Sequence, residues 1–330
     1  MSAPAGRYAP SPSGDLHLGN LRTALLSWLF ARSSGRSLLL RYEDLDAGRT
    51  VPGSARRQRA DLEALGITFD GEPLRQSRRR EIYADAVARL RAQETTAQKT
   101  TAQENLPDQD SQDDHSAGLV YECFCTRREI QEAARAPHAP PGAYPGTCRD
   151  LSEDQRAQRR QERPPALRLR VPRGRQSQSV QDVLLGRVGG LVDDMVLIRN
   201  DGTAAYNLAV VVDDHLSGVD QVVRGDDLAS SAPRQAHLRG LLYGAQARDE
   251  AEYAHVPLVL NQEGRRLAKR DGAVTLDQLK ERGTAPDAVR DLLLESLGLP
   301  PGSLEQALAV FDPDRLPREP WTFHEGLLPA

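Results

Sequence analysis

A histidine and a glycine stand at the start of an apolar segment whose spacing is helical. His17 and Gly19 follow a stretch rich in proline, serine and glycine, and apolar residues recur at helical intervals over residues 18–31. The free N–H groups in the first turn of a helix and the helix dipole favour a phosphate group, and a glycine lets the backbone approach it closely. The pattern therefore predicts a phosphate site, with an ordinary helix-capping histidine as the alternative for His17.

Three cysteines are grouped where their thiols could share a metal ion. Cys123 and Cys125 are followed by Cys148, and turn-forming residues between them can bring the last thiol back to the first two. Three thiolates and one further donor would complete a tetrahedral zinc site. Three cysteines are too few for the disulfide framework of a secreted protein, so the alternative is unreactive thiols in a reducing compartment.

The elements around these residues indicate an α/β fold. Residues 7–10 form a short extended segment, the helix over residues 18–31 follows, and the apolar run 37–42 is typical of a buried parallel strand. This strand ends at Glu43, at the edge where ligands of open α/β sheets gather. A second helix is expected over residues 52–65.

Further apolar strands are expected beyond the middle of the chain, at residues 208–212 and 219–224. The chain before them has a different composition, because residues 94–116 are rich in Thr, Gln, Asp and Ser. Such a composition predicts a disordered segment. A sheet that is interrupted by an inserted domain and then continued is the simplest account of this order.

Charge and hydropathy limit the classes of protein to which the chain could belong. The formal net charge of -4 argues against indiscriminate binding of nucleic acids, but residues 156–175 carry eight arginines that could contact RNA phosphates or form a solvated face. The first thirty residues lack a signal-peptide pattern, and no apolar run approaches the roughly 20 residues of a membrane helix. A cytoplasmic protein is therefore expected.

Motifs along nearly the whole chain resemble, in order, those of the class I aminoacyl-tRNA synthetases, and among them the glutamyl branch. Residues 7–14 and 17–20 together are similar to the first signature of that branch. Residues 40–46 are similar to its second-strand motif. Residues 202–214 and 223–228 resemble its two substrate-side motifs.

The mobile ATP loop of the family resembles a segment that starts at Arg266 and departs from the family pattern. Lys269 is retained, but Arg266, Ala268 and Arg270 stand where the family has Lys, Ser and Ser. In the first signature, Asn20 stands at the position of the second histidine. Because the lysine is retained and the neighbouring arginines keep the loop positive, we expect an active enzyme.

The resemblance implies the fold class and its division along the chain. The fold would be α/β, with a Rossmann-type parallel sheet that is interrupted by an inserted zinc-bearing domain and followed by a C-terminal helical segment. The halves of the catalytic domain are expected over residues 1–92 and 206–249. Residues 93–205 would form the inserted domain with its disordered segment, and residues 250–330 the ATP loop and the terminal helices.

The resemblance also implies which residues bind each substrate. His17 and Lys269 would be catalytic, because they neutralise charge on the phosphates of ATP, and Gly19 and Asn20 would complete the ATP site. Mg²⁺ would arrive with ATP. The glutamate pocket would be formed by Arg7, Tyr8, Ala9, Pro10, Ser11, Glu43, Tyr206 and Arg224.

The chemical types in this pocket suit an amino acid with a carboxylate side chain. Arg7 and Arg224 can each donate paired hydrogen bonds to a carboxylate, and Tyr206 can add a hydroxyl. Glu43 can accept from the substrate ammonium group, with Ser11 as a further partner. Glutamine should be rejected, because it would leave charged donors incompletely paired at a cost of about 1–3 kcal/mol. The alternative is a salt bridge between Arg7 and Glu43 across the first two strands.

The cysteine pattern also resembles a feature of the short glutamyl-type enzymes, which carry Cys-x-Cys and then Tyr-x-x-x-Cys in the inserted domain. The resemblance implies a structural Zn²⁺ ion. Its ligands would be Cys123, Cys125, Tyr144 and Cys148, with His138 or a water molecule as the alternative to Tyr144. Such a site would support folding of the insert.

The end of the sequence resembles the truncated paralogues of this branch, the glutamyl-queuosine tRNA(Asp) synthetases. After the ATP loop, residues 311–317 and Trp321 are similar to the terminus of these paralogues, which lack the anticodon-binding half of a complete glutamyl-tRNA synthetase. The resemblance implies a monomeric ligase that activates L-glutamate with ATP to glutamyl-adenylate. The acceptor would be queuosine in the anticodon of tRNA(Asp).

Three alternative functions are open at this point. A minimal glutamyl-tRNA synthetase would charge the 3′ end of a tRNA. A small-molecule nucleotidyltransferase would not need the carboxylate-binding residues and would use no tRNA. A non-catalytic, zinc-bearing RNA-binding module would show no glutamate-dependent exchange between ATP and pyrophosphate.

Overall fold

The computed structural model describes residues 3–103, 118–126, 128–130, 144–172, 177–267 and 274–328. Its strands are β1 (Ala5–Tyr8), β2 (Ser37–Tyr42), β3 (Leu74–Arg75), β4 (Val120–Cys123), β5 (Ala166–Leu169), β6 (Ser177–Asp182), β7 (Gly186–Leu191), β8 (Val196–Ile198), β9 (Val219–Gly225), β10 (Glu252–Val256), β11 (Val259–Leu260) and β12 (Trp321–Thr322). The α-helices with both ends in these residues are α1 (Leu18–Ser33), α2 (Ser54–Ala64), α3 (Arg80–Gln103), α4 (Glu153–Glu162), α5 (Tyr206–Leu216), α6 (Ala232–Tyr243), α7 (Leu276–Glu281), α8 (Pro286–Glu295) and α9 (Leu304–Ala309). No helix in these ranges is long and apolar enough to cross a membrane.

A seven-stranded sheet runs through the molecule in the order β3-β2-β1-β9-β10-β6-β7. Neighbouring strands are parallel from β3 to β6, and β7 returns antiparallel beside β6. The carboxyl ends of β1, β2 and β9 therefore open at the same edge, where Tyr8, Tyr42 and Gly225 end their strands. This arrangement confirms the predicted Rossmann-type parallel sheet and places its ligand-binding edge.

Helix α1 is buried on nearly all sides, because it packs on β1, β2 and β9 and also against the C-terminal helices. Leu21, Leu25 and Leu29 share one apolar cluster with Leu293 of α8 and Leu304 of α9. Burying a leucine side chain stabilises a fold by about 1.5–3 kcal/mol. The predicted C-terminal helical segment is thus present, and its packing fixes the first helix.

The apolar run at residues 208–212 is helical, and the strand expected there is wrong. The run lies inside α5, which packs against α3, α6 and β9, and all of its residues are buried. A short helix segment that is buried all round has no polar face, so its periodicity does not separate it from a buried strand. The strand expected at residues 219–224 is confirmed as β9.

The predicted inserted domain contributes to two different sheets. Strands β4, β5 and β8 form a separate three-stranded antiparallel sheet, as suits an insert. Strands β6 and β7 join the main sheet instead, where β6 pairs with β10. Strand β10 belongs to the predicted C-terminal segment, residues 250–330. The main sheet therefore contains strands from each of the four predicted segments, and this strand pairing over long sequence distances does not follow from composition.

The start of the segment predicted to be disordered continues a helix. Helix α3 extends to Gln103, so residues 94–103 are helical. Alanine, glutamine, glutamate and lysine in this stretch have favourable helix propensities, and the stretch continues a helix that begins at Arg80. The remainder of the segment, residues 104–116, lies outside the described residues.

Candidate active site

A cleft of about 850 Å³ opens at the carboxyl edge of the sheet, beside the ends of β1, β2 and β9. All predicted ATP and glutamate residues that lie in the described ranges line this cleft: Arg7, Tyr8, Ala9, Pro10, Ser11, His17, Gly19, Asn20, Glu43, Tyr206 and Arg224. Lys269 lies outside the described residues. Arg266 and Leu267, which lead toward Lys269 in the chain, line the cleft as well.

His17 caps helix α1 where the helix meets the cleft. Its ring Nδ1 accepts a hydrogen bond from the Asn20 backbone N–H over 3.3 Å, and Asn20 Oδ1 accepts one from the His17 backbone N–H over 3.3 Å. Asn20, the departure from the family signature, thus completes a reciprocal cap. A side chain at Gly19 would place its Cβ 3.0 Å from His17 Cε1, so a larger residue there would push on the capping ring. His17 is therefore a capping residue that also lines the cleft.

Two buried arginines reach the cleft from the neighbouring strands β1 and β9. Arg7 Nε lies 3.4 Å from Asp214 Oδ1, and the two side chains are only 4% and 5% exposed. Arg224 donates to Gln235 Oε1 over 2.8 Å and to the Tyr206 hydroxyl over 3.3 Å. Because these guanidinium groups are fixed and largely shielded from water, a carboxylate that enters the cleft meets oriented donors.

Glu43 forms its ion pair with Arg41, whereas Arg7 pairs with Asp214. The distance between Arg41 Nη2 and Glu43 Oε1 is 3.2 Å, and Arg41 also pairs with Asp214. The alternative of a direct bridge from Arg7 to Glu43 is therefore not the arrangement in the described residues. Burial raises the pKa of Glu43, and Arg41 and Arg7 only partly offset this effect. A substrate ammonium group beside Glu43 would favour its ionised form.

The sequence did not predict the buried residues that form an ion pair with Arg7 and a hydrogen bond with Arg224. Asp214 holds Arg7, and His255 of β10 stands in register with Arg224 and accepts a hydrogen bond from it. Asp214 directly follows an apolar run and Asp213, and His255 stands inside an apolar run of sequence. Buried polar groups need partners, so a polar residue within such a run was the available signal.

The three cysteines and Tyr144 come together beside β4. The three sulfur atoms lie within 4.8 Å of one another, and Cys125 Sγ is 3.5 Å from Cys148 Sγ. The Tyr144 hydroxyl is 3.3 Å from Cys123 Sγ and 3.6 Å from Cys125 Sγ. A tetrahedral ion with metal–sulfur distances of about 2.3 Å separates its sulfur ligands by about 3.8 Å, so this cluster could hold a metal. His138, the alternative fourth donor, lies outside the described residues.

Two of the arginines in the run 156–175 are packed inside the small domain, which is the part of the chain around the three-stranded sheet of β4, β5 and β8. Arg168 lies over the ring of Tyr144, with Cζ 3.6 Å from the ring centroid. Arg170 is buried and pairs with Asp150 over 3.1 Å. Both are therefore unsuited to contact RNA phosphates. Other arginines of the run form ion pairs with glutamates at the surface of this domain.

Comparison with known proteins defines the class to which this fold and cleft belong. Residues 5–312 match the family described as tRNA synthetases class I (E and Q), catalytic domain. The structure is similar to that of a glutamate-tRNA synthetase from Elizabethkingia anophelis, with a TM-score of 0.75 and 27% identity, covering 99% of this chain and 69% of that chain. The chain belongs to the class I tRNA synthetases of the E and Q type.

Within this class, the chain is similar to proteins named glutamyl-Q tRNA(Asp) synthetase. The relative from Nocardia farcinica is 58% identical over 326 residues, which cover 98% of this chain and 94% of the relative. The relative from Cutibacterium acnes is 48% identical over 299 residues, which cover 90% of this chain and 76% of the relative. The resemblance inferred from the motifs is thereby confirmed.

Proposed function

We propose that this chain is a ligase that activates L-glutamate with ATP and transfers the glutamate to queuosine in the anticodon of tRNA(Asp). The observation that carries the proposal is one cleft in which two buried arginines, Arg7 and Arg224, meet the N-terminus of α1. The arginines suit the side-chain carboxylate of glutamate, and the helix N-terminus suits the phosphates of ATP. The names of the two relatives support the choice of acceptor.

The glutamate site has partners of opposite charge for the side-chain carboxylate and for the ammonium group of the substrate. Arg7 and Arg224 bind the side-chain carboxylate, and the Tyr206 hydroxyl, already hydrogen-bonded to Arg224, completes that end of the pocket. Glu43 accepts from the ammonium group. Glutamine has an amide in place of the second carboxylate, so its NH₂ group would face guanidinium donors and leave them incompletely paired.

Activation joins the α-carboxylate of glutamate to the α-phosphorus of ATP. A carboxylate oxygen attacks the phosphorus, the new O–P bond forms, and the bond to the leaving pyrophosphate breaks. The chain supplies alignment and positive potential: His17 and the N–H groups of the first turn of α1 hold phosphate oxygens, and Lys269 adds a positive charge. Mg²⁺ carried in with ATP supplies further neutralisation of the phosphates.

Transfer then moves the glutamyl group to a hydroxyl of the acceptor. A ring hydroxyl of queuosine attacks the carbonyl carbon of glutamyl-adenylate, an ester bond forms, and AMP leaves. Such a hydroxyl replaces the ribose hydroxyl that a tRNA 3′ end would offer. The anticodon loop presents unstacked bases, which proteins can read by their edges. Because ATP, glutamate and tRNA meet in the cytoplasm, we expect the enzyme to act there, as a monomer.

The cysteine cluster is proposed to hold one structural zinc ion. Cys123, Cys125 and Cys148 supply three thiolates, and the Tyr144 hydroxyl occupies the place of the fourth ligand. A tetrahedral site closed by four protein ligands leaves no open position for a reacting group. The ion would therefore support folding of the small three-stranded sheet and take no part in the reaction.

Mapping the acceptor tests the proposed function. Purified enzyme is incubated with ATP, labelled glutamate and tRNA pools from cells that make queuosine and cells that do not, and the labelled tRNA is cut with a nuclease. We expect label on an anticodon fragment of tRNA(Asp), and only in the pool that contains queuosine. Label at the 3′ end of tRNA(Glu) would instead establish a minimal glutamyl-tRNA synthetase. Equal labelling of the two tRNA(Asp) pools would also exclude the proposed acceptor.

A further inference from the structure

Arg224 is connected to a buried carboxylate that lies away from the cleft. Its Nε donates to His255 Nε2 over 3.0 Å, and His255 Nδ1 lies 2.6 Å from Asp182 Oδ2. The side chains of His255 and Asp182 are fully buried. The three residues come from β9, β10 and β6, three adjacent strands of the main sheet. The contacts therefore form one continuous path from the sheet interior to the cleft.

The partners on either side determine the protonation state of His255. Arginine has only donors, so the His255 Nε2 that faces Arg224 has to be a bare acceptor. The Nδ1 atom then carries the proton and donates it to Asp182. The result is a neutral imidazole with a single permitted tautomer. Burial lowers the pKa of His255, with Asp182 opposing and Arg224 reinforcing this effect, in agreement with a neutral ring.

Asp182 is itself held rigidly by the backbone. One of its oxygens accepts from the backbone N–H groups of Leu184 and Leu185, each over 2.9 Å. The other accepts from the His255 backbone N–H over 3.1 Å as well as from the ring. A carboxylate that accepts from so many donors at once cannot be replaced by an amide without setting an NH₂ group against an N–H donor.

Arg224 uses its remaining donors on fixed acceptors. Nη1 donates to Gln235 Oε1 and to the Tyr206 hydroxyl, and Nη2 donates to the Leu228 carbonyl over 3.4 Å. Together with the bond to His255, these contacts engage all three nitrogen atoms of the guanidinium group and fix its plane. Of its five N–H donors, one on Nη2 has no acceptor among the contacts of the described residues.

We propose that His255 and Asp182 are positioning residues for Arg224, which they orient for the side-chain carboxylate of the substrate. The pair thereby contributes to the preference of the enzyme for glutamate over glutamine. This inference rests on the proposed function in one respect, namely that Arg224 binds the glutamate side chain. The orientation matters because only one Arg224 N–H has no acceptor in the described residues, and it can donate to the carboxylate with good geometry only if the guanidinium plane is fixed.

Kinetics of glutamate-dependent ATP–pyrophosphate exchange provide the first test. His255→Leu removes the acceptor of Arg224, and loss of a hydrogen bond to a charged group should raise the KM for glutamate roughly 10- to 100-fold. The KM for ATP should change little, and the ratio of kcat/KM for glutamate to that for glutamine should fall. His255→Gln offers a side-chain oxygen to Arg224 and should restore most of the loss. His215→Leu, at a partly buried histidine stacked on Tyr243, is the matched control and should behave as the unaltered protein.

The outcomes separate this inference from the proposed function. If Arg224→Ala raises the KM for glutamate but a folded His255→Leu variant does not, the positioning role is wrong and the pocket stands. If Arg224→Ala leaves the KM for glutamate unchanged, the pocket assignment itself fails. An equal rise of both KM values in His255→Leu would indicate a general structural defect and would overturn the specific role.

The tautomer of His255 gives a test that does not need a variant to be active. In full-length protein with ¹⁵N-labelled histidine, we expect one neutral ring with a protonated Nδ1 and a bare Nε2 at neutral pH. Its signals are assigned by their absence from the spectrum of His255→Gln. Addition of glutamate and ATP should leave this tautomer in place. A protonated Nε2 or an imidazolium ring would contradict the inference, because neither can accept a hydrogen bond from Arg224.

Discussion

Asp214 is the shared counter-charge of two buried arginines, Arg7 and Arg41, beside the cleft. Its Oδ1 pairs with Arg41 and lies 3.4 Å from Arg7 Nε, and none of the three side chains is more than 5% exposed. Burial alone would raise the pKa of Asp214, but Arg41 and Arg7 together bring it below its ordinary value. Because an unpaired charge in this position would be strongly unfavourable, Asp214 keeps Arg7 both charged and in place.

Gly19 offers a test of the ATP site at the level of one methyl group. In Gly19→Ala, the new Cβ would lie 3.0 Å from His17 Cε1 and 3.1 Å from His17 Nδ1, so the capping ring has to move. We expect the KM for ATP in pyrophosphate exchange to rise roughly tenfold, the equivalent of about 1.4 kcal/mol, while the KM for glutamate changes less. The control is Gly189→Ala, because a Cβ at Gly189 meets no atom within 4 Å. An unchanged KM for ATP in Gly19→Ala would argue against His17 at the phosphate site.

Asp61 predicts a pH dependence of stability. Burial, aided by Asp277 and opposed by Lys280, raises the pKa of Asp61 to about 6. Between pH 4 and 6 the folded protein therefore holds a proton that the unfolded chain has released, so stability falls as pH rises through this window and is constant above it. In Asp61→Asn this slope should be missing, and the variant should gain about 1–3 kcal/mol relative to the unaltered protein between pH 4 and 7. Urea unfolding at several pH values measures this, and parallel curves for the two proteins would refute it.

The residues that line the cleft were more predictable from the sequence than the buried residues that contact them. Arg7, Arg224 and Glu43 were predicted from motifs that resemble those of the glutamyl branch, and all three line the cleft. His255 and Asp182 were not predicted, because they are 73 residues apart and meet only through the order of β10 and β6 in the sheet. Strand order is set by long-range packing, which a single sequence does not display.

Asp213 of helix α5 is hydrogen-bonded to helix α3 and to the residues just before it. Its side chain accepts hydrogen bonds from Gln76, Arg79 and Tyr83 over 2.7–2.9 Å, and it is fully buried. One residue of α5 therefore satisfies the donors that lead into α3, and Asp214 beside it serves the cleft. The two acidic residues directly follow the apolar run 208–212 in the same helix.

Removing Asp213 should destabilise the protein more than removing a surface carboxylate. Asp213→Ala leaves a guanidinium, an amide and a hydroxyl without their acceptor, so we expect a loss of about 3–5 kcal/mol in the free energy of unfolding. The control, Asp220→Ala, breaks a partly exposed pair with Arg36 and should cost less than about 1 kcal/mol. Urea denaturation measures both, and similar losses in the two variants would show that the helix contact is not held by Asp213.

The stability of the small antiparallel sheet should depend on the zinc ion proposed for the cysteine cluster. Elemental analysis of the purified protein should find about one zinc ion per chain, and Cys148→Ser should remove most of it and lower the melting temperature. The neighbouring Thr147→Ser is the matched control and should keep both the metal and the stability. Full stability in a zinc-free preparation would reduce the three cysteines to packing residues.

The strand order shows how the predicted insert is joined to the main sheet. Strands β6 and β7 leave the small domain and extend the main sheet, so the Asp182 at the end of β6 reaches the interior behind Arg224. The general plan of a parallel sheet with an insert and terminal helices was predictable from the motif order. The pairing of β6 and β7 with the main sheet was not predictable, because no local pattern distinguishes a strand of the insert from a strand of the core.

The two steps of the reaction should differ in their response to salt. Activation needs only glutamate and ATP, whereas transfer also needs tRNA, whose phosphates must be neutralised by basic side chains of a chain that carries a net charge of -4. Binding of basic side chains releases counterions from the RNA, and this release becomes less favourable as the salt concentration rises. Raising NaCl from about 50 to 200 mM should therefore slow transfer at subsaturating tRNA roughly tenfold or more. Pyrophosphate exchange should change less than about twofold, since Debye screening acts weakly on buried charges. Measuring both rates across the same salt series decides the matter, and parallel slopes would mean that tRNA is not held through its phosphates.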